Sequence, residues 1–171
     1  TEGLVAYYPM NGDGRDVSSN KNDAATVGIV NFSADRFGAT TGALNLSGKT
    51  GYLQANHQDY LNSLPLTVSC WIATKDNSSV HAPDPGIITK YAAGSWNGWA
   101  LLYLGRRLLD NPEKNGVVNP WYLASRQDSV IGDYGFPDFL AANNGDGNWH
   151  QVSFVVDQAA GRIFVDGVLV D

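Results

Sequence analysis

The chain has 171 residues, enough for one domain that buries roughly 70% of its unfolded surface without a metal or disulfide. Its 11 Lys and Arg face 17 Asp and Glu, a net charge of −6 with no basic stripe, so neither nucleic acid nor an anionic membrane is an expected partner. A single Cys excludes an internal disulfide and any paired-Cys metal motif, and no run reaches the ~18 apolar residues of a membrane span.

Helical periodicity is almost absent, while short alternating or β-branched runs recur between turn signals. The start, Thr1-Glu2-Gly3, has neither initiator Met nor signal peptide, so the chain reads as a mature or excised module of a longer protein. Gly3 to Tyr8 (GLVAYY) predicts a strand ended by Pro9. Asn11 to Asp23 (NGDGRDVSSNKND) predicts a polar loop with no apolar period. Short strands are expected at Ala24 to Val30, Ala43 to Leu46 and Gly51 to Ala55, and the strongest one at Leu66 to Thr74 (LTVSCWIAT). Further strands follow at Gly86 to Lys90, Trp99 to Leu104, Trp121 to Ser125 and Trp149 to Asp157 (WHQVSFVVD). Arg162 to Val165 and Val168 to Val170 flank Asp166-Gly167, the dipeptide a type I′ hairpin turn needs because both central residues take positive φ. Asn-X-Ser triplets at Asn31, Asn45 and Asn77 match the glycosylation pattern but are expected by chance in so Asn-rich a chain.

Roughly eleven short strands separated by turns predict an antiparallel sandwich or barrel. Alternation assigns Val68, Cys70, Ile72, Val152, Phe154 and Val156 to one core, since a one-residue slip would expose the whole set. Essentially no helix is expected outside Gly105 to Asn148, where Leu108 to Asn115 could form one helical turn. That interval is long for a loop and carries Trp121, Tyr122, Tyr134 and Phe136, so it reads as functional rather than disordered. No internal repeat or low-complexity linker divides the chain, so residues 1–171 read as one domain with an aromatic-rich insertion around 105–148.

Three separated segments resemble one family. Leu4-Val5-Ala6-Tyr7-Tyr8-Pro9-Met10-Asn11-Gly12 with Asp16-Val17-Ser18-Ser19-Asn20 resembles the opening of laminin-G-like, concanavalin A-like jelly-roll domains. Leu66-Thr67-Val68-Ser69-Cys70-Trp71-Ile72 is similar to their central strand. Asp146-Gly147-Asn148-Trp149-His150-Gln151-Val152 and Phe164-Val165-Asp166-Gly167-Val168 are similar to their late strand and hairpin. The resemblance implies an all-β fold, an antiparallel β-sandwich of concanavalin A-like jelly-roll type. It also implies a final strand beyond Asp171 that returns beside Gly3 to Tyr8. It says little about function, because this superfold hosts lectins, adhesion modules, carbohydrate-binding modules and glycosidases.

Catalysis finds no foothold in the residues. Paired-carboxylate glycosidases need two carboxyl groups about 5–5.5 Å apart, or further for inversion. The only Glu residues are Glu2 and Glu113, and neither Asp157 nor Asp166 has a carboxylate two positions away. His57, His81 and His150 are too dispersed for a metal motif. Cys70 alternates with Val68 and Ile72 and reads as a buried thiol, and His150 reads as a satisfied core histidine.

Calcium is the cofactor the sequence can accommodate, as a structural ion. Hard cations take several oxygens on a flexible loop, and Asn11 to Asp23 concentrates them. In similar modules a calcium ion staples this loop to the last strand; Asp16 matches that position, with Asp13 and Asn22 as helpers. The same residues equally suit a solvated turn. The run Asn144 to Asn148 reads as the turn before Trp149.

Sugars stack their C–H faces on Trp and Tyr while amide, carboxylate or guanidinium groups bond their hydroxyls. Trp71 and Trp149 alternate away from the apolar face and so look onto the second face of a sheet, where, at family pattern positions, packing explains them better than binding does. Trp96, Trp99, Trp121, Tyr122 and Tyr134 are less explained by the family pattern and form the expected platform, with Asn97, Arg126 and Asp133 as polar neighbours. The resulting expectation is a non-catalytic carbohydrate-binding module of a secreted or cell-surface protein, binding a neutral glycan beside other domains of its parent. The alternative is an adhesion or structural spacer that binds protein; a divergent glycoside hydrolase or lyase comes third.

Overall fold

A computed structural model describes residues 2–46, 51–74, 86–91, 98–104, 117–123, 134–135, 146–157 and 161–169; at 91, 102–104, 117–123, 134–135 and 161 the description is of the backbone. The described residues are all-β, with twelve strands and a single turn of 3-10 helix at Asp59–Asn62. That turn lies outside the one interval where helix was expected, a small correction. The chain groups into two compact units, Thr1–Leu61 and Asn62–Asp171.

The first unit holds two short antiparallel pairs. Strand β1 (Ala25–Gly28) pairs with β4 (Gly51–Gln54), Ala25 opposite Gln54 and Gly28 opposite Gly51. Strand β2 (Asn31–Ser33) pairs with β3 (Ala43–Asn45). Sequence pattern misses β2 because three residues with one apolar member show no alternation.

Gly3 to Tyr8 is not a strand, contrary to expectation. Its backbone finds partners outside any ladder: Tyr7 N–H donates to Asp16 Oδ1 at 3.0 Å, and Tyr7 C=O accepts from Val17 N–H at 2.9 Å. The Val5 carbonyl accepts from Asn20 Nδ2 at 2.8 Å. Short polar side chains that bond the backbone compete with sheet pairing, and here they win. Gly14 makes this crossing possible, since a Cβ there would run into the Ala24 carbonyl, while Ala24 N–H bonds the Gly14 carbonyl at 2.8 Å.

The second unit contains two four-stranded sheets. One runs in the order β12 (Val168–Leu169), β11 (Gly161–Val165), β10 (Trp149–Val156), β5 (Leu66–Ala73). The other runs β6 (Gly86–Tyr91), β7 (Gly98–Leu104), β8 (Val117–Leu123), β9 (Tyr134–Gly135). All described pairings are antiparallel. The interval read as an insertion therefore contributes β8 and β9 to a sheet. Pro120 within β8 hid the first half of that strand; it pairs with Leu101 of β7, and among the described residues β9 pairs with Trp121 and Tyr122 but not with Pro120, which cannot donate to a ladder. The helical turn considered at Leu108 to Asn115 lies outside the described residues.

The alternation in β10 sets the core. Val152, Phe154 and Val156 have no solvent exposure, and across the ladder they face Cys70, Val68 and Leu66 of β5. Val165 and Ile163 of β11 flank the first two on the other side. Trp99 and Leu101 of β7 belong to the same buried cluster, so both four-stranded sheets supply it. The Trp99 ring meets Phe154 edge-on, with centroids 5.7 Å apart at 61°, an arrangement worth about 0.5–1.5 kcal/mol beyond area burial. Val68, Cys70 and Ile72 pack against the cluster while half-buried, which places all six expected core residues together.

Candidate functional site

The alternation that buries one face of β5 and β10 presents the other. Thr67, Ser69, Trp71 and Ala73 of β5 are exposed, and Trp149, Gln151, Ser153 and Val155 of β10 are half-buried. Trp71 lies opposite Gln151, Ser69 opposite Ser153, and Trp149 opposite Ala73. Trp71 and Trp149 are thus diagonal neighbours, a relation that sets Cβ atoms about 7–8 Å apart in a sheet. Trp71 is 42% exposed. Gln151 Nε2 donates to Ser69 Oγ at 3.4 Å on the side of Trp71 away from Trp149, a polar pair with remaining hydrogen-bonding capacity. The face therefore combines two indole rings with amide and hydroxyl groups, the pairing a sugar requires. Trp71 and Trp149 were legible as outward residues from parity; their diagonal relation and the Gln151–Ser69 bond beside Trp71 need the strand register.

The other expected platform residues distribute differently. Trp99 is only 6% exposed and belongs to the core. This corrects the expectation of a ligand-facing ring at that position: Trp99 sits on the row of β7 that faces Phe154. Tyr122 and Tyr134 occupy the same cross-strand row as Trp99, whereas Trp121 lies on the neighbouring row with Ala100 and Gly135. Trp96, Asn97, Arg126 and Asp133 lie outside the described residues.

The expected calcium loop folds around a buried carboxylate. Asp16 has no solvent exposure, and Ser18 and Asn22 are nearly as buried. Asp16 Oδ1 accepts from Tyr7 N–H at 3.0 Å and Ser18 N–H at 2.9 Å, and Oδ2 accepts from Asn22 N–H at 3.0 Å. Burial works to raise the Asp16 carboxyl, but these backbone donors together outweigh it and hold the group below the usual carboxylate value. Asn22 turns its amide nitrogen to the Asn56 carbonyl at 2.9 Å, and the exposed Asp13 accepts from Arg15 N–H at 3.0 Å. Among the described residues no three of His, Cys, Asp or Glu converge on a point that could hold a metal. Backbone N–H groups engage both oxygens of Asp16 and Oδ1 of Asp13, while the Asn22 side chain engages the Asn56 carbonyl through its nitrogen. The loop is not simply solvated: its three central polar residues form the interior of the first unit.

One cluster escapes sequence reading. His150 Nδ1 is 2.8 Å from Asp166 Oδ2, and Nε2 is 3.3 Å from Asp146 Oδ1. The histidine is satisfied, as expected from its parity, but by two carboxylates at the core margin. Asp146 precedes His150 by four residues, a spacing that signals nothing on a strand, and Asp166 arrives through the hairpin. Comparison with family models, with curated proteins and with solved structures found no match to the chain.

Proposed function

We propose that the chain is a non-catalytic carbohydrate-binding module of laminin-G-like, concanavalin A-like type, acting in a secreted or cell-surface protein. The observation that carries the reading is the outward face of β5 and β10, where exposed Trp71 lies opposite Gln151 and diagonal to half-buried Trp149, and Gln151 bonds Ser69 on the far side of Trp71. A neutral glycan suits it. The rings offer flat apolar area, the amide and hydroxyls take sugar hydroxyls, and the chain's net charge of −6 discourages polyanions. Two four-stranded antiparallel sheets sharing one core support the jelly-roll assignment, in which both sheets close as a sandwich. Trp121 of β8, on the row next to that of Trp99, is a second candidate platform residue; Tyr122 and Tyr134 share the row of Trp99, and Trp96, Asn97, Arg126 and Asp133 are further candidates outside the described residues. The proposed role is to hold a larger parent protein on polysaccharide, raising the local concentration of its other domains.

A protein-binding adhesion module is the second reading, favoured by Val168 and Leu169 of β12, which are 66% and 55% exposed. A neutral-glycan array with the purified chain, followed by titration of any hit against Trp149→Ala, separates the two. Glycan reading expects a hit whose affinity drops about tenfold or more in the variant, the scale of one lost aromatic contact of ~1.4 kcal/mol. An array without hits, alongside protein capture lost on Val168→Asp, would favour adhesion.

A further inference from the structure

Three chain segments meet at His150: the turn at residues 146–148, the start of β10 and the Asp166-Gly167 hairpin turn. The hairpin turn is already tied to β10 by backbone. Asp166 N–H donates to the Gln151 carbonyl at 2.9 Å, and Gln151 N–H donates to Asp166 Oδ1 at 2.9 Å. On the far side of the ring, Asp146 is braced by Asn148, whose N–H and Nδ2 donate to its two oxygens at 2.7 Å each. A carboxylate can only accept, so a carboxylate at each ring nitrogen calls for a proton on each nitrogen. That is the imidazolium form.

We propose that His150, gripped between Asp146 and Asp166, is a pH-sensitive clasp that fixes the β11–β12 hairpin turn to the start of β10. The inference does not depend on what the outward face binds. With both nitrogens protonated the ring bridges the two aspartates and joins three segments. Loss of one proton leaves a nitrogen lone pair facing a carboxylate, and the bridge opens on that side. The side chain of His150 is 18% exposed, so the proton can leave to solvent while the pair remains partly shielded from screening.

The directions agree. The hydrogen bond to Asp166 does most to raise the His150 titration above 6.5; burial opposes it, and Asp146 adds to the rise. A group whose folded value is raised contributes fully below its unfolded value and loses that contribution as pH climbs through the folded one. The acid side is set by the aspartates: His150 chiefly holds Asp166 low, and the Asn148 backbone chiefly holds Asp146 low. The clasp is therefore closed from above the aspartate titrations up to the raised His150 titration, and it loosens on the alkaline side. Among the described residues nothing else facing the ring titrates in that window. Opposite on β5 stands Ile72; Cys70 lies further along with its thiol pushed up to about 12 by burial. Arg162 is engaged by Asp157 at 3.3 Å on the β10–β11 pair. The core residues contributed by β6 and β7 (Ile87, Ile88, Trp99, Leu101) are apolar.

The test is an NMR titration of the His150 ring and the Gln151 amide in the intact chain, with thermal melts of His150→Gln and Asp166→Asn. The clasp predicts a His150 midpoint above 6.5 that falls in Asp166→Asn, and a Gln151 amide shift with that same midpoint. It also predicts that the melting temperature declines with rising pH across this range in the wild type and that His150→Gln removes the decline. A His150 midpoint at or below 6.5 would overturn the proposal, as would parallel pH–melting curves for wild type and His150→Gln. Should His150→Gln fail to fold, the wild-type and Asp166→Asn titrations still decide.

Discussion

At the scale of single residues, Asp16 shows how one buried carboxylate gathers backbone donors from separate parts of its unit. Its carboxylate answers three backbone N–H groups from Tyr7, Ser18 and Asn22. Asp16→Ala strands those donors, and each unsatisfied buried donor costs about 1–3 kcal/mol. The variant should therefore lose about 3 kcal/mol or more, in chelator and in millimolar calcium alike, by denaturant melts. Asp16→Asn keeps one acceptor oxygen and should lose less. Because the folded carboxyl titrates below its unfolded value, its contribution is present above about pH 4 and disappears as pH falls through the folded value. Acid melts of Asp16→Asn should accordingly be flatter than those of the wild type. Cys70 gives a second residue-level expectation. Burial pushes its thiol up to about 12, so a thiol reagent at neutral pH should label the native chain slowly and the unfolded chain fast. Asp16 was legible as the important residue of its loop, but not its role: sequence supplies the oxygen-rich composition without saying whether the oxygens face a cation or N–H groups.

Among the elements, those legible in sequence were the ones whose alternation is dictated by a buried face. Leu66–Ala73 and Trp149–Val156 were foreseen almost to the residue, because eight alternating positions tolerate no register slip. Asn31–Ser33 and Tyr134–Gly135 are too short to show a period. Gly3 to Tyr8 has a strand's composition, yet its backbone is claimed by Asp16, Val17 and Asn20. The outward face of β5 and β10 was half legible, since parity turns Trp71 and Trp149 outward but only the ladder brings Gln151 to Trp71. The hairpin turn was read correctly: Asp166 and Gly167 have φ of 50° and 78°. No atom lies within 4 Å of a Cβ placed on Gly167, so Gly167→Ala should cost only the left-handed backbone penalty of about 1–2 kcal/mol. Phe154→Ala, by contrast, empties the centre of the core and should cost about 3–5 kcal/mol in denaturant melts.

For the whole molecule, the proposed binding relies on apolar stacking and neutral hydrogen bonds on a chain of net charge −6. Glycan affinity should then change little between low and high salt, unlike a polyanion contact, whose affinity falls steeply with ionic strength. The most direct test of the central claim is calorimetric titration of a bound oligosaccharide with Trp71→Ala and Trp99→Ala, each paired with a thermal melt. An exposed platform ring and a core ring separate cleanly in this pairing. Trp71→Ala should abolish or sharply weaken binding while stability stays within about 0.5 kcal/mol of wild type. Trp99→Ala should instead lose about 3–5 kcal/mol of stability, with binding falling only as the fold is lost. Undiminished glycan binding by a well-folded Trp71→Ala protein would contradict it.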